Sequence, residues 1–255
     1  GDAAAAGAAA ALVTRPLDLE LPQIVVDDSL AALQALAAAL RRRRGERLVG
    51  VTGSVAKTTT KEFLRDLLAT TWRVGATRGS RNSQVGLPAE LCNQPDDLDW
   101  FVAELGMSHA GELDRLGAVA RPDALLYTVV APVHLEFFTD VDAIAEAKAE
   151  LIPHLAPDGL LVLNAADPRV AAMAGRFAGR TVTYGTLGAS DLWLEGYRSR
   201  GLLGAAFELN GPAGPVAVDW SLAGRHQAEN LLAAACCALH LGVPPWAVAG
   251  AAARL

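Results

Sequence analysis

The sequence predicts an α/β fold, a mostly parallel sheet flanked by helices with a small antiparallel portion at one edge. Three observations carry this. Short apolar runs recur along the chain with helical patterns between them, as strands buried on both faces do when each crossover is a helix. Residues 191–220 break that rhythm with alternating segments around Gly and Pro turns, and so read as antiparallel edge strands. Finally, 52% hydrophobic residues over 255 positions suffice for one large α/β domain or two modest ones and exclude a disordered chain.

Residues 23–27 read as a short strand. A helix is expected over 29–44, capped by Ser29, with Leu30, Leu33, Leu36 and Leu40 as its apolar stripe. Gly45-Glu46 turns the chain into a buried strand at 47–52. The loop 53–56 leads to a helix at 57–69 with Phe63, Leu64, Leu67 and Leu68 inward. The alternation continues with a strand at 100–104, a helix at 112–120, a strand at 124–130 and a helix at 141–154. A strand at 159–164, a helix at 168–178 and a strand at 181–184 follow. Segments 193–197, 205–209 and 216–220 form the antiparallel part, and 227–241 is a strongly apolar helix. There is no internal repeat.

A net charge of −6 argues against coating nucleic acid, and the run Arg41–Arg44 reads as a solvated helix end. Cys92, Cys236 and Cys237 have no metal spacing, which fits a reduced, cytoplasmic protein. The Ala-rich N-terminus lacks the basic region of a signal peptide. Leu231–Ala253 carries no formal charge, but Pro244-Pro245 interrupts it, so a buried helix followed by a loop is expected rather than a membrane span. Leu255 stops inside a helix-like Ala run, which reads as a fragment. Of 22 basic residues only Lys57, Lys61 and Lys148 are lysine. Either bias left three at random, or those positions need a compact amine that Arg does not imitate.

The sharpest local feature is Val51-Thr-Gly-Ser-Val-Ala-Lys-Thr-Thr-Thr60, where a strand gives way to a helix. Free N–H groups and the helix dipole favour a polyphosphate there. Gly53, Ser54, Val55 and Ala56 form the loop, Lys57 reaches the outer phosphates, and Thr58 suits the accompanying Mg²⁺, with Thr59 beside it. Ala56 stands where the usual pattern has Gly. Glu104 ends the next strand, at the edge where parallel sheets bind ligands. Read alone, it is as well placed for solvent as for a metal. His134, alone, is a hydrogen-bonded loop residue and an unusual Mg²⁺ ligand. Lys148, alone, is an exposed helix lysine between Glu146 and Glu150.

In order along the chain, the phosphate loop with Thr58-Thr-Thr-Lys-Glu62, then 104–112, Ala131-Pro-Val-His-Leu-Glu136, 145–150, 162–168 and Gly224-Arg-His-Gln-Ala-Glu-Asn230 resemble the Mur ligases of peptidoglycan synthesis. Lys61-Glu62 and 79–88 resemble the branch that joins D-alanyl-D-alanine to UDP-N-acetylmuramoyl-tripeptide. The resemblance implies a P-loop ATPase-like central domain at 45–255, the end of a UDP-substrate domain at 1–44, and a C-terminal ligase domain that is absent. It implies ATP-dependent amide ligation through an acyl phosphate by a cytoplasmic monomer with ATP and two Mg²⁺ ions. By similarity, Lys57 contacts the β- and γ-phosphates, while Thr58 and Glu104 hold one Mg²⁺. His134 helps hold the second, with Lys148 as a carbamate. Lys57, Lys148 and His134 are thus the catalytic set. Asn230 contacts the adenine nucleotide, and Asn82 and Ser83 face the UDP-linked substrate. Ala56 and Ala131 replace Gly, Val129, Ser80 and Ser83 replace Asn, and Gln227 replaces the first Asn of its motif. Lys61 is left as a solvated helix position. Another Mur ligase, a folylpolyglutamate synthetase-like enzyme and a silent nucleotide-binding module are the alternatives.

Overall fold

The computed structural model describes residues 2–185, 188–212 and 214–254. The N-terminal stretch holds a one-turn helix, α1 (Asp2–Ala5), and two short strands, β1 (Ala11–Val13) and β2 (Gln23–Val25), paired parallel in a sheet of their own. Helix α2 (Ser29–Arg44) follows and ends on Gly45 at φ 73°, a left-handed stop that suits glycine. Its cap is Asp28 rather than Ser29. The Asp28 carboxylate accepts from the Leu30 and Ala31 N–H groups, and Ser29 is already helical. The expected leucine stripe is displaced too. Leu36 is 48% exposed, whereas Ala37 is fully buried, because the small side chain lets the helix approach closely while Arg41 reaches Asp123 at 2.8 Å.

Among the described residues, nine strands make the main sheet: β3 (Arg47–Thr52), β4 (Val74–Ala76), β5 (Trp100–Glu104), β6 (Ala124–Tyr127), β7 (Leu160–Asn164), β8 (Arg180–Gly185), β9 (Leu192–Ser199), β10 (Ala205–Asn210) and β11 (Val216–Trp220). Their spatial order is β11-β10-β9-β8-β7-β6-β3-β5-β4. Every pairing from β4 across to β9 is parallel, and β9–β10 and β10–β11 are antiparallel. The alternation of each strand sends side chains to two separate cores. Val49, Val51, Val102 and Leu126 face α3 (Lys57–Leu68), α8 (Arg225–Leu241) and α9 (Pro245–Ala252). Leu48, Phe101, Leu125 and Leu161 face α2, α4 (Gly86–Cys92), α5 (Glu112–Ala120) and α6 (Val141–Ala149).

The departures from expectation have local causes. The helix expected to 154 ends at Ala149 and resumes as a 3-10 turn, Ile152–His154, because Pro153 has no N–H to continue it. The helix expected at 168–178 is one turn, α7 (Pro168–Ala171), tightening into a 3-10 segment that contains Gly175. The strand expected to 130 ends at Tyr127. The loop expected after Leu241 contains α9, which starts with Pro245 in its first turn, a position that suits proline. The end of that run, Leu255, lies outside the described residues. Among the described residues no helix is long and apolar enough to cross a membrane. Strand β3 lies where the order reverses, between β5 and β6, so a crevice opens at the carboxyl ends of these strands.

Candidate active site

The turn after β3 is shaped by what lies behind it. Gly53 sits at φ 148°, and a Cβ there would fall 1.9 Å from Thr128 Oγ1, so only glycine fits. The Thr128 hydroxyl donates to the Val55 carbonyl at 2.8 Å. The Ser54 N–H donates to Val129 O at 2.7 Å, and the Ala131 N–H donates to Ser54 Oγ at 2.9 Å. The loop is therefore bonded along the segment that follows β6. Asp167 supports that segment in turn, accepting from the Val130 N–H at 2.7 Å.

Ala56 precedes α3 at φ 67°, ψ 0°, with no side-chain cap. Helical bonding begins only at the Thr60 N–H, which donates to Ala56 O, so the N–H groups of Lys57, Thr58 and Thr59 face outward at the positive end of the helix dipole. Lys57 Nζ donates to Gly53 O at 2.9 Å and Ser54 O at 3.1 Å. Burial pushes the Lys57 amine below its ordinary range, and Glu104 partly opposes this. Lys148 is not the exposed helix lysine that its neighbours suggested. It is 2% exposed, and its Nζ donates to the same Gly53 carbonyl at 3.0 Å. Burial and then the adjacent Lys57 bring its pKa down to about 7.

Glu104 is 1% exposed at the end of β5. Thr58 Oγ1 donates to one carboxylate oxygen at 2.8 Å, and Asn82 Nδ2 donates to the other at 2.6 Å. Gly106 allows this approach, since a Cβ there would meet Asn82 Cγ at 2.7 Å. Thr58, Glu104 and Asn82 thus form one contiguous unit, as the sequence reading required of the first two. Among the described residues no group of three or more His, Cys, Asp or Glu could hold a metal. A hydroxyl and a single carboxylate suit Mg²⁺, which takes most of its ligands from phosphate oxygens and water.

Two clefts, each of about 450 Å³, flank the phosphate loop. One is lined by Val55, Ala56 and Thr59 from the loop side and by Asn164, Gln227 and Asn230 opposite. The other is lined by Lys57, Asn82, Ser83, Met107 and His134 among others. His134 is exposed at φ 56° and shares this second cleft with Lys57. The structure therefore separates Asn230 from Asn82, Ser83 and His134, with the phosphate loop between them. Sequence reading missed Thr128, Asn164 and Tyr184 on the first cleft's wall. Asn164 and Tyr184 end predicted strands and Thr128 directly follows the observed end of β6, a signal that was present. It also misplaced Lys61, which is fully buried rather than solvated.

Residues 51–238 match the model of the Mur ligase middle domain. The UDP-N-acetylmuramoyl-tripeptide–D-alanyl-D-alanine ligase of Bacillus subtilis (strain 168) is 36% identical over 222 residues, 87% of this chain and 47% of the relative. The ligase of the same name from Escherichia coli (strain K12) is 34% identical over 255 residues, 99% of this chain and 56% of the relative. A crystal structure of MurF from Acinetobacter baumannii superposes with a TM-score of 0.91 at 30% identity, covering 98% of this chain and 55% of that one. A MurF ligase from Thermotoga maritima, solved in complex with ADP, gives 0.87 at 29% identity, covering 97% and 58%. The chain spans about half the length of the curated relatives it matches. On the extent of the domain match, the chain belongs to the Mur ligase family.

Proposed function

We propose that this chain is the ATP-binding core of a ligase that joins D-alanyl-D-alanine to UDP-N-acetylmuramoyl-tripeptide, giving ADP and phosphate. The observation that carries the proposal is the Glu104 carboxylate, held by Thr58 of the phosphate-loop helix on one oxygen and by Asn82 of the second cleft on the other. One group thereby joins the nucleotide side to the acceptor side. ATP lies along the loop 53–59, with its base toward Asn230 in the first cleft. The UDP-linked peptide enters the second cleft past Asn82 and Ser83. Residues 1–44 are the end of the UDP-substrate domain and 45–255 the central domain. Helix α2 bridges them, since Ala37 sits in the core of the large sheet.

The peptide carboxylate attacks the γ-phosphoryl group, forming an acyl phosphate and releasing ADP. The amine of D-alanyl-D-alanine then displaces phosphate. Lys57 offsets charge on the β- and γ-phosphates as two anions meet, the electrostatic part of phosphoryl transfer. Thr58 and Glu104 would hold one Mg²⁺, and His134 with Lys148 the second. The metal supplies charge neutralisation when bound. A cationic amine is not a metal ligand, but Lys148 titrates near neutrality. Its neutral Nζ adds to CO₂ and loses a proton, leaving a carbamate oxygen where Arg would leave a cation. The names of the relatives support the ligase reading, and the buried Lys148 amine lies beside the Gly53 carbonyl of the same loop.

The test is ADP release by the complete ligase that carries this chain. Lys57→Ala should lower it by about 10³-fold, and an unchanged rate contradicts the proposal. A panel of amine acceptors decides the substrate: preference for an amino acid over D-alanyl-D-alanine would assign another Mur or folylpolyglutamate-type ligase.

A further inference from the structure

Lys61 is used by no step above, yet it is the largest fully buried charged side chain among the described residues. A buried amine must find acceptors or lose more on desolvation than a leucine of similar size would gain. Lys61 Nζ finds three: Thr77 O at 2.5 Å, Gly79 O at 2.9 Å and Glu62 Oε1 at 2.8 Å. An ammonium has three donors, so the group is saturated. Two of its partners are backbone carbonyls of the segment that leaves β4, the edge strand of the sheet, and leads to Asn82.

The same segment is held from the other side by Glu90 of α4. That carboxylate is fully buried and accepts from the Arg78 N–H and from the guanidinium groups of Arg78 and Arg81. A lysine takes the acceptors at 77 and 79, and a glutamate takes the donor at 78. Three residues further on, Asn82 meets Glu104, and Glu104 meets Thr58 on the helix that also carries Lys61. Thr58 and Lys61 are three residues apart and share a helix face. The bonds therefore close a ring: helix α3, Lys61, the 77–79 backbone, Asn82, Glu104, Thr58 and back to α3.

We infer that Lys61 is a positioning residue that sets the Asn82 loop against the phosphate-loop helix, so that acceptor-side and nucleotide-side groups keep one geometry. The inference rests on the proposed roles of Asn82 and Glu104. It accounts for lysine at this position, since Arg presents a planar fork in place of three convergent donors.

A double-mutant cycle in the complete ligase tests it. Lys61→Met and Asn82→Ala should each raise KM for the UDP-linked tripeptide about tenfold, the double variant should be no worse than the worse single, and KM for ATP should move less than about threefold. Lys61→Arg should behave as Lys61→Met. Multiplicative effects in the double variant, or equal rises in both KM values, would overturn the inference. If Asn82→Ala matters and Lys61→Met does not, the inference alone fails. If neither matters, the reading of the second cleft fails with it. The wild-type chain gives an independent readout should Lys61→Met not fold. With ¹⁵N-lysine only three side-chain signals arise, and that of Lys61 should exchange slowly and couple to the carbonyl carbons of Thr77 and Gly79. Exchange as fast as that of a solvated lysine would overturn the inference.

Discussion

Both loops that frame the second cleft are tied to lysine amines through backbone carbonyls, but the two sets of bonds differ in what remains to be satisfied. At the phosphate loop, Lys57 and Lys148 both donate to Gly53 O, and neither has a carboxylate partner within ion-pair distance among the described residues. Burial makes each hold its proton less firmly, the neighbouring Lys57 adds to this for Lys148, and Lys57 borders an open cleft. At residues 77–79, Lys61 has three acceptors and no exposed surface. An incoming phosphate therefore has something to gain at the first loop and nothing to displace at the second. The amine with a donor to spare beside a cleft is the one proposed to meet a ligand, whereas the saturated one belongs to the frame.

Lys148→Arg attacks this contrast most directly. It retains a cation but removes the amine proposed to become a carbamate, and ADP release by the complete ligase should fall by about 10²-fold or more. In the wild-type chain, ¹³C-bicarbonate should give a carbamate signal that Lys148→Arg lacks. That signal should weaken as the pH falls through about 7, where Lys148 gains its proton, because only the neutral amine reacts with CO₂. A pH-independent signal would break the assignment.

Glu90→Gln probes the other loop. Burial pushes the Glu90 carboxyl up, but hydrogen bonds from Arg81 and Arg78 outweigh it and leave the pKa below its ordinary value. A carboxylate held down in the fold adds stability above its unfolded pKa and loses it as the pH falls through the folded one. The variant should be less stable by about 2 kcal/mol at neutral pH, with Arg78 and Arg81 mostly exposed limiting the loss. The gap between variant and wild type in urea denaturation should close under acid. A gap that persists at low pH would mean packing rather than charge.

Smaller effects are expected within the first loop. Ala56 adopts a left-handed conformation that costs a non-glycine residue about 1 kcal/mol. Ala56→Gly should raise stability by about that amount and tighten nucleotide binding. Thr60 has a buried hydroxyl without a hydrogen-bond partner, so Thr60→Val should be neutral or stabilising by up to about 1 kcal/mol. A clear destabilisation by either change would show that the loop needs the residue it has.

The parallel sheet and the strand–turn–helix around Gly53 were legible because their signals are local. Val and Leu runs alternate with helical stripes, and Gly53 and Lys57 stand between a strand and a helix. The burial of Lys61 was not, since its partners are carbonyls 16 and 18 residues away, and a carbonyl leaves no mark on sequence. Strand β4 has three residues, too few for a period, and α4 contains Gly86 and Pro88, which read as loop. The burial of Lys148 was masked by Glu146 and Glu150, which suggested a solvated face. Glu146 instead pairs with Arg176, and Glu150 accepts from the Gly111 N–H.

The central claim is that the loop after β3 binds the phosphates of ATP through Lys57. Calorimetric titration of this chain with Mg·ATP tests it most directly. A weak, saturable heat is expected in the wild type, lost in Lys57→Ala while the melting temperature of the two proteins stays the same. Equal heats from both proteins, or none from a folded wild type, would contradict it.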